Sequence, residues 1–325
     1  MNPGMLFVDY FEEWIRTYKE GAVRPTSLLC YENFHRHLKR LAPDLTMGDL
    51  NKRTYQQIIN RFAANHARIT TGYFHAMLRA SIMDALDEEM IAVNPTSRVV
   101  IKGLPRKERR NYLGVEEAAA LVEALDLTVP IIRPLEEKHT RGQEMTTNWD
   151  WFIFLCLGTG ARYSEALAVT PGDFDFPNRT LRLNKTYDYK ISNDLFMGMK
   201  SKASERHIGI DCKMAGDFKR ALVGLDPERP IFVPEGQRVF NSAVINRLHA
   251  LCGQCGIPEI GVHALRHTHA SILLYSGVSI NAISKRLGHS KISITQDVYL
   301  HIIKELDEKE NTAIGNCMEA VYGGK

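Results

Sequence analysis

The chain has no apolar run long enough to cross a bilayer and no basic-then-apolar secretory leader. Nothing in it asks for a membrane, and a cytoplasmic protein is expected. It also lacks a disulfide framework. Its six cysteines are scattered except for Cys252 and Cys255, and a cytosolic protein of 325 residues needs none to hold a core. Cys252-x2-Cys255 followed by His263-x3-His267 imitates a zinc pattern. Only seven residues separate the two pairs, against roughly 12–15 in the usual finger, so the two thiols are read as buried and no metal is expected. Internal repeats and low-complexity tracts are absent, which excludes a solenoid. Strong charge is absent too: a net +3 is too small to argue nucleic-acid binding alone.

What is present fits a packed protein of two domains. Hydrophobic residues make up 44% and charged residues 24%. The charge is unevenly spread. Residues 1–110 hold 17 Lys+Arg against 12 Asp+Glu, a net of +5, and the remainder is net −2. The excess peaks at Lys102, Arg106, Lys107, Arg109 and Arg110. That cluster is either a solvated linker or a segment lying along DNA phosphates.

The first third has the periodicity of helices. Phe7, Phe11, Trp14 and Tyr18 form one face. Pro25 suits a helix start, and Tyr31, Phe34, Leu38 and Leu41 form a second face. A third helix is predicted over Lys52–Ala64, and a fourth carries Phe74, Leu78, Ile82 and Ala85. These four make a helical unit over 1–101, with 102–111 as a charged linker and 112–325 as a second domain. In the second domain, 128–148 is polar and aperiodic and predicts a long loop. Helices are predicted over Trp149–Leu157 and Tyr163–Val169, strands over Thr180–Thr186 and Arg206–Ile210, and helix again from Lys213. The fold class is mainly α with a small antiparallel β-sheet.

The stretch 263–301 holds His263, Arg266, His289 and Tyr299. A guanidinium, two imidazoles and a phenol suit attack on a phosphodiester. Phenolate is both nucleophile and leaving group, so a phosphotyrosine forms reversibly and conserves the bond energy. Fixed cations stabilise the charge that gathers on the nonbridging oxygens, and arginine meets two of them at once. Taken singly, each residue has an ordinary structural explanation. Arg162 and Glu165 could be an ion pair within a helix, and Tyr299 a half-buried packing residue.

Taken together, the motifs resemble those of the tyrosine recombinases, the phage-integrase family. Gly158-Thr-Gly-Ala-Arg162-Tyr-Ser-Glu165 is similar to the first box, Lys200-Ser-Lys-Ala-Ser204-Glu-Arg206 to the β-hairpin motif, and His263-Ala-Leu-Arg266-His267 to the second box. Leu287-Gly288-His289 is similar to the third, and Tyr299 follows ten residues later. The resemblance implies a helical core-binding domain and a mixed α/β catalytic domain. Arg162 and Arg266 would clamp the phosphate, with Glu165 supporting Arg162. Lys200 would protonate the departing 5′-oxygen, His263 would handle protons or bind phosphate, His289 would donate to phosphate, and Tyr299 would be the nucleophile. Met199 and Ser201 flank Lys200 where the family often has threonines, so Lys202 competes for the role. Lys202 and Arg206 join the linker cations as expected DNA contacts.

The implied activity is site-specific strand exchange by an integrase of a phage or other mobile element, through a 3′-phosphotyrosine and without cofactor or metal. Alternatives are a Xer-like dimer resolvase, a type IB topoisomerase-like enzyme, or a DNA-binding regulator that kept the fold. The expected partners are double-stranded DNA at attachment sites and three further copies in a homotetramer on that DNA, the free protein being a monomer. An excisionase or a host DNA-bending protein is the accessory partner such a system can use. The chain starts almost directly in core-binding helices, which fits either a short recombinase or one lacking an arm-site domain. After Tyr299, Ile302, Ile303, Leu306, Ala313, Ile314, Met318 and Val321 form an amphipathic tail, docking on a neighbour or on its own domain.

Overall fold

A computed structural model describes residues 4–105, 111–134, 145–189, 196–199, 204–293, 295–296 and 299. The chain divides into two compact units, Met1–Glu108 and Arg109–Lys325. It is mostly helical, with small antiparallel sheets, and among the described residues no helix is long and apolar enough to cross a membrane.

The first unit is four helices: α1 (Phe7–Tyr18), α2 (Pro25–Leu41), α3 (Lys52–Ala63) and α4 (Arg68–Asp87). Pro25 sits at the start of α2, where its missing N–H loses nothing. The Asn51 side chain accepts the N–H groups of Arg53 and Thr54 and caps α3. Phe7, Phe11, Leu38, Tyr55, Ile59, Phe74 and Leu78 are buried at the centre. Two polar ties fix α1 on α4: Tyr10 Oη donates to the Ser81 carbonyl (3.1 Å) and Trp14 Nε1 to Asp84 Oδ2 (2.6 Å). The predicted linker begins on this unit. The Leu104 N–H donates to the His66 carbonyl (2.8 Å), and the exposed Lys102 lies between this tie and the Gln56–Val100 hydrogen bonds. Arg106, Lys107, Arg109 and Arg110 lie outside the described residues.

The second unit opens with α5 (Val115–Glu123). The predicted loop 128–148 is instead a hairpin at its ends. Strands β1 (Ile132–Pro134) and β2 (Met145–Thr147) pair antiparallel, Ile132 opposite Thr147. Next come α6 (Trp149–Thr159) and α7 (Tyr163–Leu167), the latter shorter than predicted. The strand predicted over Thr180–Thr186 breaks at Asn184 into two that serve different sheets. β4 (Thr180–Leu183) lies between β3 (Phe174–Asp175) and β7 (Arg206–Gly209), and β5 (Lys185–Tyr187) pairs with β6 (Phe196–Gly198). Helices α8 (Cys212–Ala221), α9 (Asn241–Cys255), α10 (Val262–Tyr275) and α11 (Ile280–Leu287) complete the described elements.

Helix α6 explains the arrangement. Trp151 through Leu157 are all buried, so this helix has no polar face and must be surrounded. Helices α9 and α10 pack on it. Its one buried charge, Asp150, accepts two bonds from Arg247 of α9 (2.6 and 2.7 Å), which ties the two helices in register. The Cys252 thiol is in the core, and the Cys255 thiol donates to the Ala120 carbonyl.

Helix α6 ends at Gly160, whose φ of 68° is left-handed. A Cβ there would lie 2.8 Å from His269 Cδ2 and 2.9 Å from Leu287 Cδ2. Both the conformation and the space therefore require glycine. Gly160→Ala is expected to destabilise this unit by roughly 1–3 kcal/mol in urea denaturation. Gly253→Ala, inside α9 with open space around its Cβ, is expected to be neutral or to stabilise by up to about 1 kcal/mol. Equal effects of the two would contradict the constraint at Gly160.

Candidate active site

Four parts of the second unit converge here: the turn from α6 into α7, the start of β7, helix α10, and the end of α11 with the residues after it. Arg162 precedes α7. Its N–H donates to Glu165 Oε2 (2.9 Å) and its Nη1 to Glu165 Oε1 (2.6 Å), while Nη2 reaches the Gly288 carbonyl (3.3 Å). Arg266, on α10, is only 3% exposed. Its Nη1 donates to the Gly160 carbonyl (2.7 Å) and its Nη2 to the Leu287 carbonyl (2.6 Å). Both guanidinium groups are thus tied to the turn at 287–288, Arg162 also to Glu165 and Arg266 also to the Gly160 carbonyl. Each Nη carries two protons, so anchoring leaves further donors on both forks.

Arg206, expected on DNA, is used within the protein. Its Nε donates to the Arg286 carbonyl (2.6 Å), Nη1 to the Ser204 carbonyl (2.8 Å) and Nη2 to Glu165 Oε2 (2.9 Å). With 7% of its side chain exposed, it is a strut under the site. Lysines 200 and 202 lie outside the described residues.

Glu165 is the counter-charge to this group and is 2% exposed. Burial alone would raise its pKa, but Arg206 and Arg162 outweigh that and hold the carboxyl below its ordinary value. The Arg266 pKa is lowered too, to about 9, first by burial and then by Arg162. It remains charged at neutral pH. One carboxylate against three guanidinium groups leaves the site with an excess of positive charge.

The imidazoles register that excess. His289 follows Gly288, the left-handed residue that ends α11. Its Nδ1 lies 2.7 Å from Thr295 Oγ1, and burial followed by Arg266, Arg162 and Arg206 lowers its pKa to about 4. His263, at the more exposed start of α10, is shifted down by desolvation, Arg266 and Arg162. All are neutral at pH 7. Tyr299 is 3% exposed, its Oη lies 3.0 Å from His267 Nδ1, and burial pushes its pKa up to about 12 against the pull of Arg266.

Such a site can receive a monoanion, hold it by forked donors and present a phenol to it. Residues 138–305, more than half of the chain, match the model of the phage integrase family. The chain belongs to that family. It is 29% identical to the integrase of Staphylococcus phage L54a over 46% of this chain and 47% of that protein. It is 30% identical to the tyrosine recombinase XerC of Thermodesulfovibrio yellowstonii over 71% of each. Among solved structures, the integrase of transposon Tn1549 in complex with transposon right-end DNA superposes with a TM-score of 0.71 at 18% identity, over 95% of this chain and all of that one. As a family member, the protein is a site-specific tyrosine recombinase, a DNA breaking-rejoining enzyme.

The recombinase site also contains residues that sequence patterns did not assign. His269 Nδ1 donates to the Leu157 carbonyl (2.8 Å), and its Nε2 accepts from Arg286 Nε (2.8 Å). Arg286 also donates to the carbonyls of Gly158 and Gly209. His267, given no chemistry from sequence, touches the Tyr299 hydroxyl. Its place one helical turn after His263 was the available signal.

The shifts fix a pH dependence. His269 titrates at about 3 and His267 and His289 at about 4 in the fold, against roughly 6.5 unfolded. Between those values the unfolded chain binds more protons, so stability falls on acidification below about pH 6.5 and recovers as pH rises. Thermal melts should show Tm dropping steadily from pH 6.5 to 4.5, and a constant Tm would contradict the burial of these neutral rings. Glu165→Gln removes the counter-charge from the buried Arg206 guanidinium and the part-buried Arg162. It should cost about 3–5 kcal/mol in urea denaturation, and a loss under 1 kcal/mol would show that the carboxylate is not the organiser.

Proposed function

We propose that the protein is the integrase of a phage or other mobile element, with Tyr299 as its nucleophile. Tyr299 Oη attacks the scissile phosphorus and forms a 3′-phosphotyrosine, and the 5′-oxygen departs. Arg162 and Arg266 hold the nonbridging oxygens, which gain charge in the transition state. His289 donates to the same phosphate and His263 handles protons beside it. Lys200 protonates the leaving oxygen, with Lys202 as the competing candidate. Glu165 and Arg206 position Arg162. No nucleotide is consumed, because the phosphotyrosine keeps the energy of the broken bond.

The observation that carries this assignment is that Arg162 and Arg266 both bond to the turn at Leu287–Gly288, with His289 next in sequence and Tyr299 packed on α10. Lys102, Arg106, Lys107, Arg109 and Arg110 would contact backbone phosphates and set register without reading sequence. The recombining assembly would be a homotetramer on two duplex sites, built from free monomers in the cytoplasm, with an excisionase or host bending protein setting direction.

A second role, chromosome or plasmid dimer resolution, draws support from the XerC relatives. A plasmid carrying two directly repeated candidate sites separates the roles by whether strand exchange needs a second, different recombinase.

On a nicked attachment site, wild-type protein should form a covalent adduct that survives denaturation, and Tyr299→Phe should form none while binding the DNA normally. Arg266→Gln should slow adduct formation by about 10²–10³-fold. Adducts in Tyr299→Phe would move the nucleophile elsewhere. No adduct with wild-type protein would favour a DNA-binding regulator.

A further inference from the structure

A phenol that attacks phosphorus must lose its proton, and Tyr299 sits where water cannot take it. The residue is 3% exposed and packs with Ala270, Leu274, Ile283 and Leu287. Its hydroxyl has one described partner, His267 Nδ1 at 3.0 Å, with the ring planes at 63°. His267 is held in turn by the edge of His263, centroid to centroid 4.8 Å at 90°. The position is therefore built into α10, one turn from one histidine and adjacent to Arg266.

We propose that His267 is the base for strand cleavage: as Tyr299 Oη bonds to phosphorus and the P–O5′ bond breaks, the phenol proton passes to His267 Nδ1. This rests on Tyr299 being the nucleophile. The bond lost is P–O5′, the bond gained is P–Oη, and the 5′-oxygen takes its proton from a separate donor, for which Lys200 is the candidate. In rejoining, the 5′-hydroxyl attacks the phosphotyrosine and His267 returns its proton to the departing phenolate. One residue serves both directions, as a reversible exchange requires.

The electrostatics suit the role. Among the described residues, His263 and Arg266 on α10, His289 beyond α11, and Tyr299 are the titratable and charged groups that face His267. Burial, then His263 and Arg266, lower the pKa of the ring to about 4. It therefore stands neutral and able to accept at any physiological pH. An arriving phosphate offsets Arg266 and makes the ring more basic when the proton must move. General-base transfer of this kind contributes about 10²–10⁴-fold.

The test is single-turnover cleavage of a nicked attachment site whose scissile link is a 5′-bridging phosphorothiolate. Thiolate leaves without a proton donor, so the rate reports the tyrosine's proton. Wild-type protein should cleave at a rate flat from pH 6 to 8. His267→Asn keeps an acceptor near the place of Nδ1 but cannot take a proton. It should fall about 10²–10³-fold and rise about tenfold per pH unit, with DNA binding unchanged. Should that variant melt below the assay temperature, His267→Gln replaces it with the same expectation. A flat profile at near wild-type rate would make His267 a positioning residue and overturn the proposal, as would the slope appearing only in His263→Asn. An adduct from Tyr299→Phe on the same substrate marks the separate failure of the nucleophile assignment.

Discussion

The rest of the site depends on Glu165, a carboxylate with almost no solvent, bonded to Arg162 and Arg206. A buried charge is tolerated only when it is paired and its lone pairs are met. Here each partner is also bonded to backbone, Arg162 to Gly288 and Arg206 to Arg286 and Ser204. The carboxylate thereby joins three separate stretches of chain. Arg266 enters the same framework from α10 through Gly160 and Leu287. A guanidinium held at several atoms keeps its remaining N–H groups aimed without reorganising when charge develops, the condition under which electrostatic stabilisation is most effective.

A cluster of like charges is unfavourable without a ligand, and the structure shows where that strain is absorbed. His289, His263 and His267 are neutral chiefly because they are buried and then because of the neighbouring cations and imidazoles, and Arg266 is itself depressed. Binding an anionic phosphodiester relieves this. The positive excess thus favours substrate and sets the protonation state in which imidazoles can accept or donate. Burial keeps Tyr299 protonated in the empty site.

Much of this was legible in the sequence because it is local. The spacing of Phe7, Phe11 and Trp14 marks α1, and the Gly158–Glu165 and His263–Arg266 patterns mark the turn that carries Arg162 and the helix that carries Arg266. The hairpin was not legible, since its strands have three residues each and one ends in Pro134, too short for alternation to show. Arg206 was misplaced for a different reason. A cation in a polar stretch looks solvated until the fold brings Glu165 to it, 41 residues away in sequence. The pairings of His267 with Tyr299 and of Arg286 with His269 span 32 and 17 residues, beyond any local pattern. Lys200, Lys202 and the tail from residue 300 fall outside the described residues, so their roles rest on sequence alone.

The central claim is that Arg162, Arg266 and the neighbouring imidazoles surround a single phosphate. Its most direct test is an NMR titration of the histidine ring protons in Tyr299→Phe protein, with and without a nicked attachment-site duplex. With DNA bound, the pKa of His289 should rise from about 4 toward its ordinary 6.5, because the phosphate offsets the guanidinium groups that lower it. An unchanged value at saturating DNA would mean that no phosphate enters the arginine cluster, and the account would fail.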